Sequence, residues 1–278
     1  MRLRVAACQI LTYPDPAQSA DKVLHWMEQA AAGGVDVVLF PEACLCGYQC
    51  DGAYWETARP EVFAAAEARI VAAAAALGLA AIVGTAHWEE DGVRNSLLVI
   101  DRGGIVRGRY AKTHLAETWP QPGHTLPIYR VVGVSSCFLI CHDIRYPELV
   151  RLPAIAGAQV CYFASNESGL TEEYKLSAYR AMPISRAAEN GIYLVMANAP
   201  ANAADITSHS QSHGNSKIVH PDGNVLDEAR FFEERLVTAT IDTDAATRWV
   251  AKRALSDDTI LAGWLRDGLR LVSDESGA

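Results

Sequence analysis

Three residues at separated points of the chain, Glu42, Lys112 and Cys141, carry side chains that together could act on a carbonyl carbon. A thiol needs a base to take its proton, and a carboxylate serves when burial lifts its pKa toward neutrality. An ammonium nearby favours the thiolate and stabilises the oxyanion formed as sulfur adds to the carbonyl. Each residue lies at the end of a predicted strand or in the adjoining loop, within Phe40-Pro41-Glu42, Tyr110-Ala111-Lys112-Thr113-His114-Leu115 and Phe138-Leu139-Ile140-Cys141-His142-Asp143-Ile144-Arg145-Tyr146-Pro147-Glu148. The last run reads as a buried strand delivering a thiol to a tight turn, where backbone N–H groups and positive side chains favour the thiolate. A helix then begins near Pro147, because proline suits the first helical turn. The N–H of His142 is a second oxyanion donor. Taken singly, each residue has a plainer reading: a core cysteine, a surface glutamate after proline, a solvated lysine beyond a hairpin. Their joint occurrence is what points to chemistry.

The elements that must position them follow from pattern. Strand-like runs are expected at Arg2 to Leu11, Val35 to Phe40, Leu79 to Thr85, Ile128 to Val132, Cys137 to Ile140, Val160 to Ala164, Tyr193 to Ala197 and Leu236 to Ile241. Helices are expected at Ser19 to Ala32, Glu61 to Leu77, Pro147 to Ala156, Glu172 to Asn190, Asp244 to Ala254 and Ile260 to Leu271. Asn95 to Ile100 and Ile105 to Tyr110 form a hairpin through Asp101-Arg102-Gly103-Gly104, and Lys217 to His220 turns into Asn224 to Leu226 through Pro221-Asp222-Gly223. A long loop from Lys112 to Pro127 carries Glu117 and Trp119. Strands alternating with helices predict an α/β protein with a mixed sheet system. No linker composition divides the 278 residues, so residues 1–253 are read as one domain and 254–278 as a tail.

With 24 basic against 33 acidic residues and a net charge of -9, the chain is a poor match to nucleic acid or an anionic membrane surface. No apolar run approaches a membrane span, and Met1-Arg2-Leu3-Arg4 leads into a strand-like run rather than a signal peptide, so a cytoplasmic location is expected. Seven cysteines suit free thiols better than a disulfide framework, with Cys8, Cys137 and Cys161 as core residues. Cys44, Cys46 and Cys50 lack the paired spacing of a zinc site, and His209 and His213 fall in a stretch that makes a poor helix, so no metal is expected. Serine-hydrolase, dinucleotide and P-loop motifs are absent.

The three motifs, with Arg186-Ala187-Ala188-Glu189-Asn190 before a strand and Gly214-Asn215-Ser216-Lys217-Ile218-Val219 before Pro221-Asp222-Gly223, resemble the nitrilase superfamily of carbon–nitrogen hydrolases from about Val5 to Ile241. The resemblance implies a four-layer α-β-β-α sandwich and a thioester intermediate. Glu42 would be the base, Lys112 the stabiliser of the tetrahedral intermediate and Cys141 the nucleophile, with no cofactor. It implies a small amide or N-carbamoyl substrate, with nitrile hydrolysis or a non-catalytic binding protein of the same fold as alternatives. Glu117 matches a second family glutamate, in a loop shorter than in many relatives; its plainer reading is an exposed loop carboxylate. By family position Tyr48, Trp119, His142, Arg145, Asn166 and Glu167 line the pocket. Arg145 would hold a substrate carboxylate or pair with a neighbouring acid, and Glu167 also reads as a solvated loop acid. The tail, with Trp264 and with Trp249 just before it, is expected to pack on a second subunit of a homodimer or higher homo-oligomer.

Overall fold

The computed structural model describes residues 1–167, 170, 173–207, 212–257 and 259–275. Two sheets face each other. The first runs β12-β1-β2-β3-β4-β5, from β1 (Arg2–Gln9), β2 (Val37–Leu39), β3 (Ala80–Glu89), β4 (Gly92–Ile100), β5 (Val106–Ala111) and β12 (Arg235–Asp242). The second runs β11-β10-β9-β8-β7-β6-β13, from β6 (Leu126–Val131), β7 (Val134–Ile140), β8 (Val160–Ser165), β9 (Tyr193–Asn198), β10 (Lys217–Val219), β11 (Val225–Glu228) and β13 (Val272–Asp274). Helices α1 (Pro16–Ala32) and α3 (Pro60–Leu77) cover the first sheet; α4 (Glu148–Ala156) and α5 (Glu173–Asn190) cover the second. The predicted four-layer sandwich is what forms.

Strand alternation divides the core. In β1, Leu3, Val5 and Ala7 point between the sheets, whereas Ala6 and Cys8 point to the cluster that includes Val23, Met27 and Ile70 of α1 and α3. The central strands β2, β8 and β9 are buried along their length, and β7 from Ser136 onward, as continuous apolar runs require of parallel strands covered on both faces. Asp15 caps α1 by accepting the Ala17 N–H, so this helix begins before the expected Ser19, at Pro16. Gly78 ends α3 with φ of 61°.

Elements depart from the sequence reading where local pattern is weakest. A short helix α2 (Gly52–Thr57), capped by Asp51, interrupts the loop after Glu42. The helix expected from Asp244 begins at Trp249, as α6 (Trp249–Ser256), because Asp242 caps a separate 3-10 turn at residues 243–245. The segment from Ile260 to Leu271 shortens to α7 (Ala262–Gly268) and a 3-10 turn, and Glu172, the expected start of α5, lies outside the described residues. β13, not anticipated, pairs in parallel with the edge strand β6, Val272 opposite Leu126. Part of the tail thus joins its own sheet, while Trp249, Ile260 and Trp264 are 60%, 98% and 51% exposed.

Candidate active site

Cys141 follows the last residue of β7 with φ of 45°, a left-handed conformation unusual for a non-glycine residue, and opens a 3-10 turn, Cys141–Arg145. The turn is the tight turn expected between the strand and the helix near Pro147. Asp143 holds it in place. Its Oδ2 accepts the Ile140 N–H at 3.1 Å and the Tyr110 hydroxyl at 2.7 Å, and its Oδ1 accepts the His114 N–H at 2.8 Å. One buried carboxyl therefore joins the thiol's turn to β5 and to the loop bearing Lys112. In the first helical turn the His142 N–H has no intrahelical acceptor, which leaves it available to a ligand.

Lys112, just past β5, is wholly buried, and its Nζ donates to Glu42 Oε1 at 2.7 Å and to Glu117 Oε1 at 2.6 Å. Neither the surface reading of Glu42 nor the solvated reading of Lys112 holds. Glu42 also accepts the Asn95 amide at 2.9 Å and the Asn166 N–H at 2.8 Å. Its segment lies tight against β3: a Cβ on Gly84 would stand 2.1 Å from the Pro41 carbonyl oxygen. Glu117 takes a further hydrogen bond from the Tyr48 hydroxyl at 2.6 Å, and its side chain is 1% exposed, so it is not a surface carboxylate.

Burial raises the Glu42 carboxyl to about 7, against the opposing pull of Lys112. Burial also pushes Glu117 up, but the charge and hydrogen bond of Lys112, with the Tyr48 hydroxyl, bring it below the usual carboxylate range. Although burial opposes its charge, the carboxylates and the thiol around Lys112 raise its pKa well above normal. For Cys141, burial and then Glu42 lift the thiol well above its ordinary value, outweighing the downward pull of Lys112. The resting group is a neutral thiol beside a base, not the thiolate that the charge pattern alone suggested.

The remaining expected residues divide in two. Asn166 stands at the thiol, its carbonyl oxygen 4.0 Å from Cys141 Sγ. Arg145 donates to the Tyr179 hydroxyl at 3.1 Å and lies over that ring at 5.1 Å, so its partner is a phenol rather than an acid. Glu167 is not a solvated loop acid; its side chain is 0% exposed, 3.7 Å from His213 Nε2. Trp119 is drawn toward α2, where it stacks on Trp55 at 3.8 Å, and the His142 ring turns to Tyr146 at 5.7 Å. His213 stacks on Tyr179 at 6.0 Å, while His209 lies outside the described residues. Among the described residues no group of three or more His, Cys, Asp or Glu side chains gathers as metal ligands, and no helix is long and apolar enough to cross a membrane.

Asn95, Asp143, Tyr179, Asn198 and His213 were not anticipated as part of this site. Asp143 lay inside the cysteine motif itself, where an acid two residues after an apolar strand was a usable signal. The others come from segments whose approach depends on sheet pairing.

A neutral thiol on a strained turn, with a proton-accepting carboxyl and a doubly paired ammonium beside it in a four-layer sandwich, is equipment for opening carbonyl–nitrogen bonds through sulfur. The chain belongs to the carbon–nitrogen hydrolase family, whose model matches residues 4–251. It is 29% identical to the 2-oxoglutaramate amidase of Bacillus subtilis over 84% of this chain and 87% of that protein. It is also 30% identical to a "Hydrolase in agr operon" of Staphylococcus lugdunensis, over 56% of this chain but only 65% of that protein. Among solved structures, a mutant of the amidase from Nesterenkonia sp. AN1, described with acrylamide added at its active-site cysteine, superposes with a TM-score of 0.76 at 25% identity, covering 88% of this chain and 95% of that one. The protein is an enzyme of this class, acting on C–N bonds other than peptide bonds.

Proposed function

We propose that the enzyme hydrolyses a small amide or N-carbamoyl compound through a thioester on Cys141, releasing ammonia or an amine. The observation carrying this reading is the buried Lys112 ammonium held between Glu42 and Glu117 within electrostatic reach of the thiol. Two of its three N–H bonds are engaged by the carboxylates, and the third is available to an oxyanion.

Glu42, as carboxylate, takes the Cys141 proton while sulfur bonds to the carbonyl carbon and the C=O electron pair moves onto oxygen. Lys112 Nζ and the His142 N–H hold that oxyanion. On collapse the C=O re-forms, the C–N bond breaks, and the departing nitrogen takes the proton from Glu42. Glu42 next deprotonates a water that adds to the thioester carbonyl; the C–S bond breaks and sulfur recovers the proton. Glu117 does not exchange protons in this scheme. It fixes Lys112 and keeps it charged.

The B. subtilis relative, named for a small amide, supports this substrate class. The seven cysteines, all free, suit a reducing cytoplasmic setting. The exposed Trp249, Ile260 and Trp264 suit packing against a second copy, and an unchanged sedimentation coefficient on replacing the three with serine would reject that packing.

An ammonia-release screen over small amides, carbamoyl compounds and nitriles, with intact mass after iodoacetamide, tests the function. Amide or carbamoyl turnover and an adduct mapped to Cys141, distinct from any on the exposed Cys50, are expected, both lost in Cys141→Ala. Turnover confined to nitriles, or retained in Cys141→Ala, would overturn the reading.

A further inference from the structure

Glu167 is the one glutamate at this site that the proposed mechanism does not use. Its carboxyl is as buried as those of Glu42 and Glu117, yet neither oxygen has a hydrogen-bond partner. The polar groups near it do not repair this. His213 Nε2 stands off at 3.7 Å, and the Ser165 hydroxyl and the charges of Arg145 and Lys217 each pull the carboxyl's pKa down without offsetting burial. A buried carboxyl left unpaired is costly, so such a group in a folded protein calls for an explanation.

Its position supplies one. The preceding residue, Asn166, touches the machinery at two points, its N–H on Glu42 and its carbonyl oxygen near Cys141 Sγ, and both polar atoms of its side chain are also unpartnered. The backbone of Glu167 is fixed by its N–H on Asn198 Oδ1 at 3.3 Å. Tyr179, stacked on His213 and holding Arg145, flanks it. Burial, then the charge of Glu42, push the Glu167 carboxyl well above the usual range, and Glu167 in turn acts on the Cys141 thiol. A cation delivered there would favour the ionised carboxylate in a medium that screens little, drawing the proton off Glu167.

Resting on the hydrolase reading above, we propose that Glu167 is a specificity-determining residue that receives a positively charged amine on the acyl part of the substrate. The preferred substrates are then amino amides in which an ammonium and the scissile carbonyl belong to one short chain.

The test compares ω-amino amides of one to four methylenes with neutral amides in which methyl replaces ammonium, as kcat/KM for the wild type, Glu167→Gln and Glu167→Asp. For at least one chain length the wild type should favour the ammonium compound tenfold or more. Glu167→Gln should lower that ratio at least tenfold, chiefly through KM, and Glu167→Asp should retain part of it. An unchanged ratio in Glu167→Gln, or preference for the neutral compounds at every length, overturns the proposal. Should no amide be turned over, the hydrolase reading fails separately, and calorimetric titration of Cys141→Ala with the same pairs decides this one: tighter ammonium binding lost on adding Glu167→Gln supports it, and equal binding rejects it.

Discussion

Glu117 and Glu167 are both nearly inaccessible acids close to the same thiol, and they are treated in opposite ways. Glu117 accepts hydrogen bonds from Lys112 and Tyr48, and those partners bring its pKa below normal although burial raises it. Glu167 has no comparable pair of donors, only the weak influence of the Ser165 hydroxyl, and burial pushes its pKa well up. On one side of Cys141 the charges are satisfied before any substrate arrives, which is preorganisation for a developing oxyanion. On the other side a polar group is held unsatisfied, as a recognition element must be if the ligand is to complete it. Burial alone does not separate these roles; the partner count does.

The largest expected effect removes the centre of the satisfied side. Lys112→Ala should lower kcat by about 10²–10³-fold or more, the scale of losing an oxyanion donor, and should also destabilise the fold by about 3–5 kcal/mol, because two buried carboxyls lose their counter-charge. Rate assays and denaturant melts read both. A kcat within threefold of wild type would show that this side is structural scaffolding and dissolve the contrast.

Next is Glu117→Gln, which keeps the shape but removes the charge that fixes Lys112. A fall in kcat of about 10–100-fold with little change in KM is expected, corresponding to about 1.4–2.8 kcal/mol in the transition state. A change in KM alone would place Glu117 with the recognition side instead.

The pH profile addresses Glu42, which both sides influence. With its carboxyl raised to about 7, Glu42 is protonated and useless as a base below that pH, so kcat/KM should climb as pH rises through about 7 and level off above it. Rates measured from pH 5 to 9 that stay flat down to pH 5 would mean that burial does not set the base.

The satisfied side was far more legible in the sequence than the open one. Glu42, Lys112 and Cys141 each terminate a local apolar pattern, and strands so placed bring their ends to one edge of a sandwich. Glu117 follows Lys112 closely enough for the loop to fold back, and it does. Glu167 read equally well as a solvated acid, because its burial depends on Tyr179 from α5 and His213 from a distant loop. No local period encodes that meeting. The same limit hid β13, three residues, Val272-Ser273-Asp274, whose strand state comes from pairing with β6 rather than from their own pattern. It also hid Gly84, whose missing Cβ lets Glu42 approach β3, although a glycine inside an apolar strand run is a recognised mark of close backbone approach.

The smallest effect sharpens the contrast most, since it removes one hydrogen bond and nothing else. Tyr48→Phe deletes the phenol that donates to Glu117 Oε1 and leaves Lys112 as that carboxylate's remaining side-chain donor. A hydrogen bond to a charged group contributes about 1.5–3 kcal/mol, and Lys112 compensates for part of it, so kcat should fall about threefold to tenfold. The pKa of Glu117 should rise with the loss of its donor, bringing it closer to that of Glu42, so the acid limb of the rate profile should broaden rather than simply shift. Selectivity between ammonium and neutral amides should stay at the wild-type ratio, because Glu167 does not depend on this bond. A Tyr48→Phe enzyme that loses that selectivity would show the two sides of Cys141 to be a single coupled network.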